Sequence, residues 1–179
     1  IVNNYAEANM TIGKRIMIVG SPGSGKSTFA RELAEITGIP LIHLDRKFWN
    51  AGWVETPKEE FYAWQRTIIK EDTWIIDGNY GGSMDIRLSR ADTVVNFQIS
   101  RWTCVMGYFK RLITNMGKSR PDMGEGCPER LDLEFVKYIW NFPKNVAGSN
   151  RERIERYEGL KVITFTSRRE ASSFLEGLY

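Results

Sequence analysis

Hydrophobic positions along the chain fall into two kinds of segment. Five short apolar runs, rich in Val and Ile and without a strict two-residue period, are typical of strands buried on both faces of a parallel sheet. These runs cover residues 15–19, 40–44, 74–76, 93–99 and 161–165. Amphipathic segments separate the runs and predict helices. The predicted helices cover residues 26–36, 56–70, 102–116, 128–140 and 168–175.

Strands that alternate with helices predict right-handed crossover connections and therefore an α/β fold. We expect a three-layer, doubly wound sheet of five parallel strands. Two of the predicted helices have proline near their start. Residues 56–59 have the pattern of a capping box with Pro57 at the first helical position, and Pro128 opens the fourth helix.

Length and composition indicate one globular domain. The chain has 179 residues, of which 42% are hydrophobic and 26% are charged, and no apolar run approaches the ~20 residues of a membrane-spanning helix. Residues 1–9 lack the features of a secretory signal, and Met10 has the position of a natural initiator. We therefore expect residues 1–9 to be an added leader or a disordered arm and residues 10–179 to form the domain.

The cysteine content indicates a reducing compartment. Cys104 and Cys127 are the only two cysteines, and together with a single histidine they cannot form a familiar zinc site. Because the sequence also lacks a secretion signal, we expect a cytoplasmic protein that does not bind a membrane.

A glycine-rich motif follows the first predicted strand and precedes the first predicted helix. Its residues are Gly20, Ser21, Pro22, Gly23, Ser24, Gly25, Lys26 and Ser27, and Thr28 comes next. They match G-x-x-x-x-G-K-[ST], in which small residues let backbone N–H groups surround phosphate oxygens. The lysine contacts the terminal phosphates, and the hydroxyl of Ser27 suits magnesium. The motif predicts a phosphate-binding loop for ATP and Mg²⁺.

Two aspartates follow the second and third predicted strands. The carboxyl ends of neighbouring parallel strands open on the same crevice as the phosphate loop, so Asp45 and Asp77 are expected to face the triphosphate. We assign Asp45 as the base that accepts the proton of an acceptor hydroxyl and Asp77, with Ser27, as a magnesium ligand. The alternative is that each aspartate only caps the helix or turn after its strand.

Three other residues near these strand ends have open roles. Trp49 and Trp53 lie in the segment after the second strand, where they either line an acceptor pocket or pack beneath the loop. We expect His43 to be packed or hydrogen-bonded.

An arginine-rich segment lies between the fourth and fifth predicted strands. Residues 101–130 carry six basic and three acidic side chains, an excess of three that equals the net charge of the chain. Guanidinium groups stabilise the dispersed charge of a transferring phosphoryl group. We expect residues 101–143 to form a helical lid in which Arg120 and Arg130 are catalytic and Arg111 contacts the nucleotide; Arg101 is a further candidate. The alternative is a solvated basic loop.

Several longer motifs resemble the bacterial DNA topology modulation proteins over residues 16–175. Besides the phosphate loop, the matching segments are residues 43–45, 49–53, 74–80, 120–123, 127–132 and 140–143. The resemblance implies an adenylate-kinase-like P-loop fold, of the nucleoside-kinase type, with the strand order 2-3-1-4-5. Asp77-Gly78 matches the Asp-Gly of adenylate kinases, but the Phe-Pro-Arg that follows there is replaced by Asn79-Tyr80-Gly81. The family name also implies DNA as a partner.

Three functions are consistent with these patterns. The leading hypothesis is transfer of the γ-phosphate of ATP to an unidentified small acceptor held between the Asp45 loop and the arginine lid. The second is a nucleotide-dependent regulator of DNA topology that binds DNA through its basic segment. The third is a slow NTPase switch whose lid responds to a protein partner.

Overall fold

The computed structural model describes residues 12–178, so the predicted leader lies outside the described residues. The strands are β1 Arg15–Gly20, β2 Leu41–His43, β3 Trp49–Asn50, β4 Val54–Glu55, β5 Trp74–Asp77, β6 Thr93–Phe97 and β7 Lys161–Phe165. The α-helices are α1 Lys26–Thr37, α2 Leu44–Phe48, α3 Lys58–Ile68, α4 Met84–Leu88, α5 Arg101–Asn115, α6 Leu133–Phe142, α7 Gly148–Ile154 and α8 Arg168–Glu176. A 3₁₀ turn, Gly81–Ser83, precedes α4, and a π-helical segment, Pro143–Ala147, joins α6 to α7.

Five strands form one parallel sheet in the order β2-β5-β1-β6-β7. Counted without the short strands β3 and β4, this is the predicted order 2-3-1-4-5. β3 and β4 form a separate antiparallel hairpin, which the sequence analysis did not predict. The predicted fold class is confirmed.

The sheet is buried on both faces because successive side chains of each strand point to opposite sides. In β1, Ile16 and Ile18 join an apolar cluster that includes residues of α1, α5 and α8. Met17 and Val19 join a second cluster that includes residues of α3 and α4. This arrangement gives the expected three layers and explains why the strands lack an alternating pattern.

Two helix starts differ from the prediction. Thr56 does not cap α3: its hydroxyl donates to the Lys47 carbonyl oxygen at 2.7 Å, and the helix begins at Lys58 after Pro57. The Thr56 side chain therefore stabilises the β3–β4 hairpin, although the pattern predicted that it caps the helix. Pro128 does not open a helix either, because α6 begins at Leu133 with the Asp132 carboxylate as its N-cap.

The predicted lid is helical only at its two ends. α5 and α6 flank residues 116–132, which form a loop with a single bridge between Met116 and Glu129. Within the described part of the chain, none of the helices combines the length and apolar character needed to cross a bilayer.

Candidate active site

The phosphate loop connects β1 to α1 as predicted. Gly23 and Gly25 have φ angles of 76° and 103°, which side chains rarely adopt. A Cβ atom at Gly23 would also collide with the carbonyl oxygen of Cys104 in α5. The first N–H groups of α1 have no partners within the helix, and such groups together with the helix dipole suit an anion; the predicted phosphate contacts of Lys26 and Ser27 stay a prediction.

Arg168, at the start of α8, is hydrogen-bonded to this loop. Its guanidinium donates to the carbonyl oxygens of Gly23 at 2.6 Å and Ser24 at 3.2 Å. These bonds help to fix the conformation of the loop. Nothing in the sequence indicated this role, because Arg168 lies about 145 residues from the loop.

Asn79 fixes the start of the same loop. Its side-chain amide donates to the Gly20 carbonyl oxygen at 2.8 Å, and its Oδ1 accepts the Gly20 N–H at 3.0 Å. In the sequence, Asn79 was marked by the matching segment 74–80 and by its departure from the adenylate kinase pattern, and neither predicted this role. The structure shows that this residue couples the end of β5 to the phosphate loop.

Arg87 holds the segment that carries Asn79. It is fully buried and donates to the carbonyl oxygens of Gly78 at 2.8 Å, Asn79 at 2.5 Å and Tyr80 at 3.1 Å. Burial lowers the pKa of Arg87 to about 9, so the side chain is still charged at neutral pH. This second missed residue therefore supports the site by fixing its backbone.

Asp77 lies at the end of β5, where its Oδ2 pairs with Nδ1 of His43 at 2.9 Å. His43 is hydrogen-bonded, as expected. Burial alone raises the pKa of Asp77, but the His43 hydrogen bond and the charge of Lys26 outweigh it and leave the pKa below its ordinary value. Asp77 is therefore an anion at neutral pH.

The other Asp77 oxygen, Oδ1, is buried without a hydrogen-bond partner among the described residues. Leaving such an oxygen unpaired is costly, and a magnesium ion bound directly or through water would satisfy it. The Ser27 hydroxyl lies close enough to contribute to the lowered pKa of Asp77. The described residues contain no group of three or more His, Cys, Asp or Glu that could hold a metal. Magnesium would therefore take its remaining ligands from phosphate and water, as it usually does.

Asp45 lies in the first turn of α2, directly after β2. Its Oδ1 accepts a hydrogen bond from the Tyr80 hydroxyl at 2.5 Å. Burial raises the pKa of Asp45, although the Tyr80 bond and the charge of Lys26 oppose that shift. Asp45 therefore holds a proton more tightly than an ordinary aspartate does, and it lies near the charge of Lys26.

Two cavities share the phosphate-loop residues Lys26 and Ser27. The first, of about 630 Å³, is bounded by the phosphate loop, α1, α5 and α8 and contains Arg168. The second, of about 500 Å³, is bounded by the hairpin, the segment after β5, α5, α6 and the lid loop. Five residues line both cavities: Lys26, Ser27, Arg111, Arg120 and Asp122. We call the first the nucleotide cavity and the second the acceptor cavity.

The candidate arginines occupy three different positions. Arg111 and Arg120 line both cavities, and their Nε atoms lie 3.0 and 2.8 Å from the same Glu129 oxygen. Arg130 lines only the acceptor cavity, with its guanidinium 5.7 Å from the centre of the Trp53 ring. Arg101 packs over Trp140 at 5.1 Å and lines neither cavity.

The lid loop is docked on the β3–β4 hairpin. The Gly52 N–H donates to the Gly126 carbonyl oxygen at 2.9 Å, and the Cys127 thiol donates to the Asn50 carbonyl oxygen at 3.1 Å. Tyr108 of α5 donates to the Arg130 carbonyl oxygen at 3.2 Å and ties down the end of the loop. Contacts between segments far apart in the sequence therefore hold the lid loop in place beside the acceptor cavity.

Most of the predicted site residues converge on these cavities. Gly23, Gly25, Lys26, Ser27 and Thr28 line the nucleotide cavity, and Pro22 and Asp45 line the acceptor cavity. Three other residues of the loop are buried: Gly20, Ser21 and Ser24. Their part in nucleotide binding stays a prediction. Trp49 and Trp53 line the acceptor cavity, which was one of the two roles left open for them.

The comparisons with known proteins concern the fold. No protein-family model matches the chain, and no curated protein matches its sequence. The resemblance to DNA topology modulation proteins therefore rests on the sequence motifs alone.

Solved structures, in contrast, do match. Shikimate kinase from Acinetobacter baumannii in complex with shikimate has a TM-score of 0.57 and is 14% identical, over 92% of each chain. Shikimate kinase from Aquifex aeolicus VF5, with the same identity and coverage, has a TM-score of 0.49. The match to the Acinetobacter enzyme shows that this chain has the P-loop fold of the shikimate kinases.

Proposed function

We propose that the protein is an ATP-dependent phosphotransferase that moves the γ-phosphoryl group of ATP to a small acceptor. The observation that carries this proposal is the pair of cavities that meet at Lys26, Ser27, Arg111 and Arg120. A donor in one cavity and an acceptor in the other would face each other across these side chains. That geometry turns a reaction between two molecules into one within a single complex.

The nucleotide side would bind the triphosphate before any chemistry. The N–H groups at the start of α1 and the Lys26 ammonium hold the phosphate oxygens, and Arg111 and Arg120 approach from α5 and the lid loop. Ser27 and Asp77 would hold magnesium, which neutralises charge on the phosphate oxygens when it is bound. Glu129 sets the positions of the two arginines through its ion pairs.

The acceptor side would supply the nucleophile. A hydroxyl oxygen of the acceptor bonds to the γ-phosphorus, the bond from that phosphorus to the β,γ-bridging oxygen breaks, and ADP leaves. The hydroxyl proton goes to Asp45, whose raised pKa brings it closer to the working pH than an ordinary aspartate. The Tyr80 hydroxyl orients that carboxylate.

The acceptor cavity favours a transferase over an NTPase switch. Hydrolysis needs room only for water, whereas a cavity of about 500 Å³ is the size of a small-molecule site. The Acinetobacter kinase, which has the same fold and is in complex with the small molecule shikimate, adds support. No observation in the described residues specifically favours the DNA-binding hypothesis.

The test is a screen of a metabolite pool incubated with the protein, ATP and magnesium. Mass spectrometry should find a compound that gains one phosphoryl group in the presence of the wild-type protein and not of Lys26→Ala. Shikimate should be included as a separate sample because of the fold neighbours. If ATP is converted to ADP and free phosphate at the same rate with and without the pool, the protein is a hydrolase and the proposal fails.

A further inference from the structure

Among the described residues, six aromatic side chains line the acceptor cavity. Trp49 and Trp53 come from the hairpin, with ring centres 5.6 Å apart, and Phe135 and Tyr138 come from α6, stacked at 5.9 Å. Tyr80 and Tyr108 also line the cavity. Flat aromatic surfaces contribute most to binding when the ligand is itself flat and apolar on its faces.

The backbone is strained at two of these rings. Among the described residues, Trp53 and Tyr80 are the only non-glycine residues with positive φ, at 65° and 41°. Bulky side chains rarely adopt such angles, and the outliers that persist cluster at ligand sites. Both residues line the acceptor cavity, so the strain coincides with the placement of the rings there.

The charges in the cavity are already balanced. Four cationic residues line it, Lys26, Arg111, Arg120 and Arg130, and so do four acidic residues, Asp45, Asp122, Glu129 and Asp132. Glu129 pairs with both Arg111 and Arg120, and Asp122 pairs with Arg120. The proposed function assigns Lys26 to ATP, so Arg130 is the cation left for an acceptor.

Arg130 is a weak site for an anion. It is exposed, its guanidinium covers the Trp53 ring, and water screens its charge. The pKa of Tyr138 is raised mainly by burial and also by the negative charge of Asp45. The Asp45 charge therefore acts across the cavity. A phosphate or carboxylate group on the acceptor would be repelled by the Asp45 charge. Its one available partner among the described residues would be the exposed Arg130.

Trp53, which lines the cavity, also carries a buried hydrogen-bond donor. Its Nε1 has no hydrogen-bond partner among the described residues. A buried donor without a partner is uncommon, and a turn of the Trp53 ring toward the ligand would let Nε1 donate to an acceptor atom on the ring of the ligand. A pure hydrocarbon ring offers no such atom.

From these observations we propose that the acceptor is an uncharged alcohol with a flat heteroaromatic ring, such as a nucleoside, and not a nucleotide or a hydroxy acid. The ring would stack on the aromatic side chains around Trp53, and its hydroxyl would lie toward Asp45. This inference rests on the proposed function for the transfer step, but ring binding in the cavity can be measured without it.

The experiment compares adenosine, guanosine, cytidine and thymidine with the 5′-monophosphate of each and with shikimate. Calorimetry measures binding in the presence of a non-hydrolysable ATP analogue, and mass spectrometry measures transfer from ATP. We expect at least one nucleoside to bind about tenfold more tightly than its own monophosphate and more tightly than shikimate. Tighter binding of every monophosphate, preference for shikimate, or no nucleoside binding would each overturn the proposal.

Two variants locate the ring. Trp53→Leu and Tyr138→Leu should each weaken nucleoside binding about tenfold, a typical loss for one stacked base, without changing the affinity for ATP. Tyr138 lies on the surface of α6, so its variant tests the site even if Trp53→Leu disturbs the hairpin. Trp64→Leu is the matched control, because Trp64 packs on Phe61 outside the cavity. Nucleoside affinity that is unchanged in both cavity variants would contradict the stacking site.

If nucleosides bind and neither they nor any compound of the metabolite pool is phosphorylated, the ring site is as inferred and the transfer proposal fails. If the metabolite screen yields a phosphorylated acceptor without a flat ring, the transfer proposal stands and this inference is wrong.

Discussion

Replacing Asn79 with alanine tests whether the end of β5 holds the phosphate loop in its binding conformation. The substitution removes two hydrogen bonds to Gly20 and leaves the N–H and carbonyl oxygen of a buried residue without these partners. At about 0.5–1.5 kcal/mol for each bond, the free energy of unfolding should fall by about 1–3 kcal/mol. For a loss of about 2 kcal/mol, the melting temperature should fall by about 4–8 °C.

The same variant should bind ATP more weakly. In the wild type, Asn79 and Arg168 fix the loop before the nucleotide arrives, so little ordering remains to be done on binding. Without Asn79, Arg168 alone of these two residues still holds the loop, so ATP must supply more of the ordering on binding. We expect the dissociation constant to rise about tenfold, which corresponds to about 1.4 kcal/mol.

Thermal unfolding and calorimetric titration with ATP measure the two effects on one protein sample. Asn141→Ala is the control, because the Asn141 amide donates to the Lys137 carbonyl oxygen in α6, away from the loop. It should leave ATP affinity unchanged. If Asn79→Ala melts earlier but binds ATP within twofold of the wild type, Asn79 stabilises the fold without preparing the loop, and the reasoning is refuted.

The remaining predictions concern the carboxylates and the lid arginine. Asp45→Asn should keep ATP affinity and lose acceptor-dependent transfer, whereas Asp77→Asn should raise the magnesium concentration needed for half activity; a magnesium titration that gives the opposite assignment would reverse the two roles. Arg120→Ala should lower turnover on the order of a hundredfold or more with a smaller effect on ATP affinity, and Arg101→Ala should do neither; equal kinetics in the two variants would leave Arg120 only its structural ion pairs with Glu129 and Asp122. Asp45→Asn should melt later than the wild type at pH 7, because a carboxyl with a raised pKa contributes stability only at low pH and loses it as pH rises; the gap should close toward pH 4. Asp77→Asn should melt earlier at pH 7 and approach the wild type at lower pH, because its lowered pKa contributes stability that is lost as pH falls; a pH-independent difference in either variant would contradict the assigned shifts.

The sheet and the phosphate loop could be predicted because their signals are local. An apolar strand before Gly20 and an amphipathic helix from Lys26 define the loop without reference to distant residues. The position of Asp45 just after β2 and of Asp77 at the end of β5 followed from the topology of parallel sheets, because the carboxyl ends of neighbouring strands lie at one edge of the sheet.

The contacts that complete the site could not be predicted, because they join residues far apart in the sequence. Arg168 and Asn79 reach the loop from α8 and from the segment after β5, and nothing in their own neighbourhoods marks that role. Thr56 shows that a clear local pattern can also mislead. Its capping-box pattern predicted a helix cap, but its hydroxyl donates to the Lys47 carbonyl oxygen instead. In the lid loop, Glu129 pairs with both Arg111 and Arg120, and the motif over residues 127–132 gave no indication of these ion pairs.

The fate of the γ-phosphoryl group tests the central claim most directly. ATP labelled in that group should be mixed with the wild-type protein, magnesium and the acceptor from the screen, and the label followed over a single turnover. We predict that the label appears on the acceptor at the rate of ADP formation, and that Lys26→Ala forms neither product. Label that appears only as inorganic phosphate, at a rate independent of the acceptor, would contradict phosphoryl transfer.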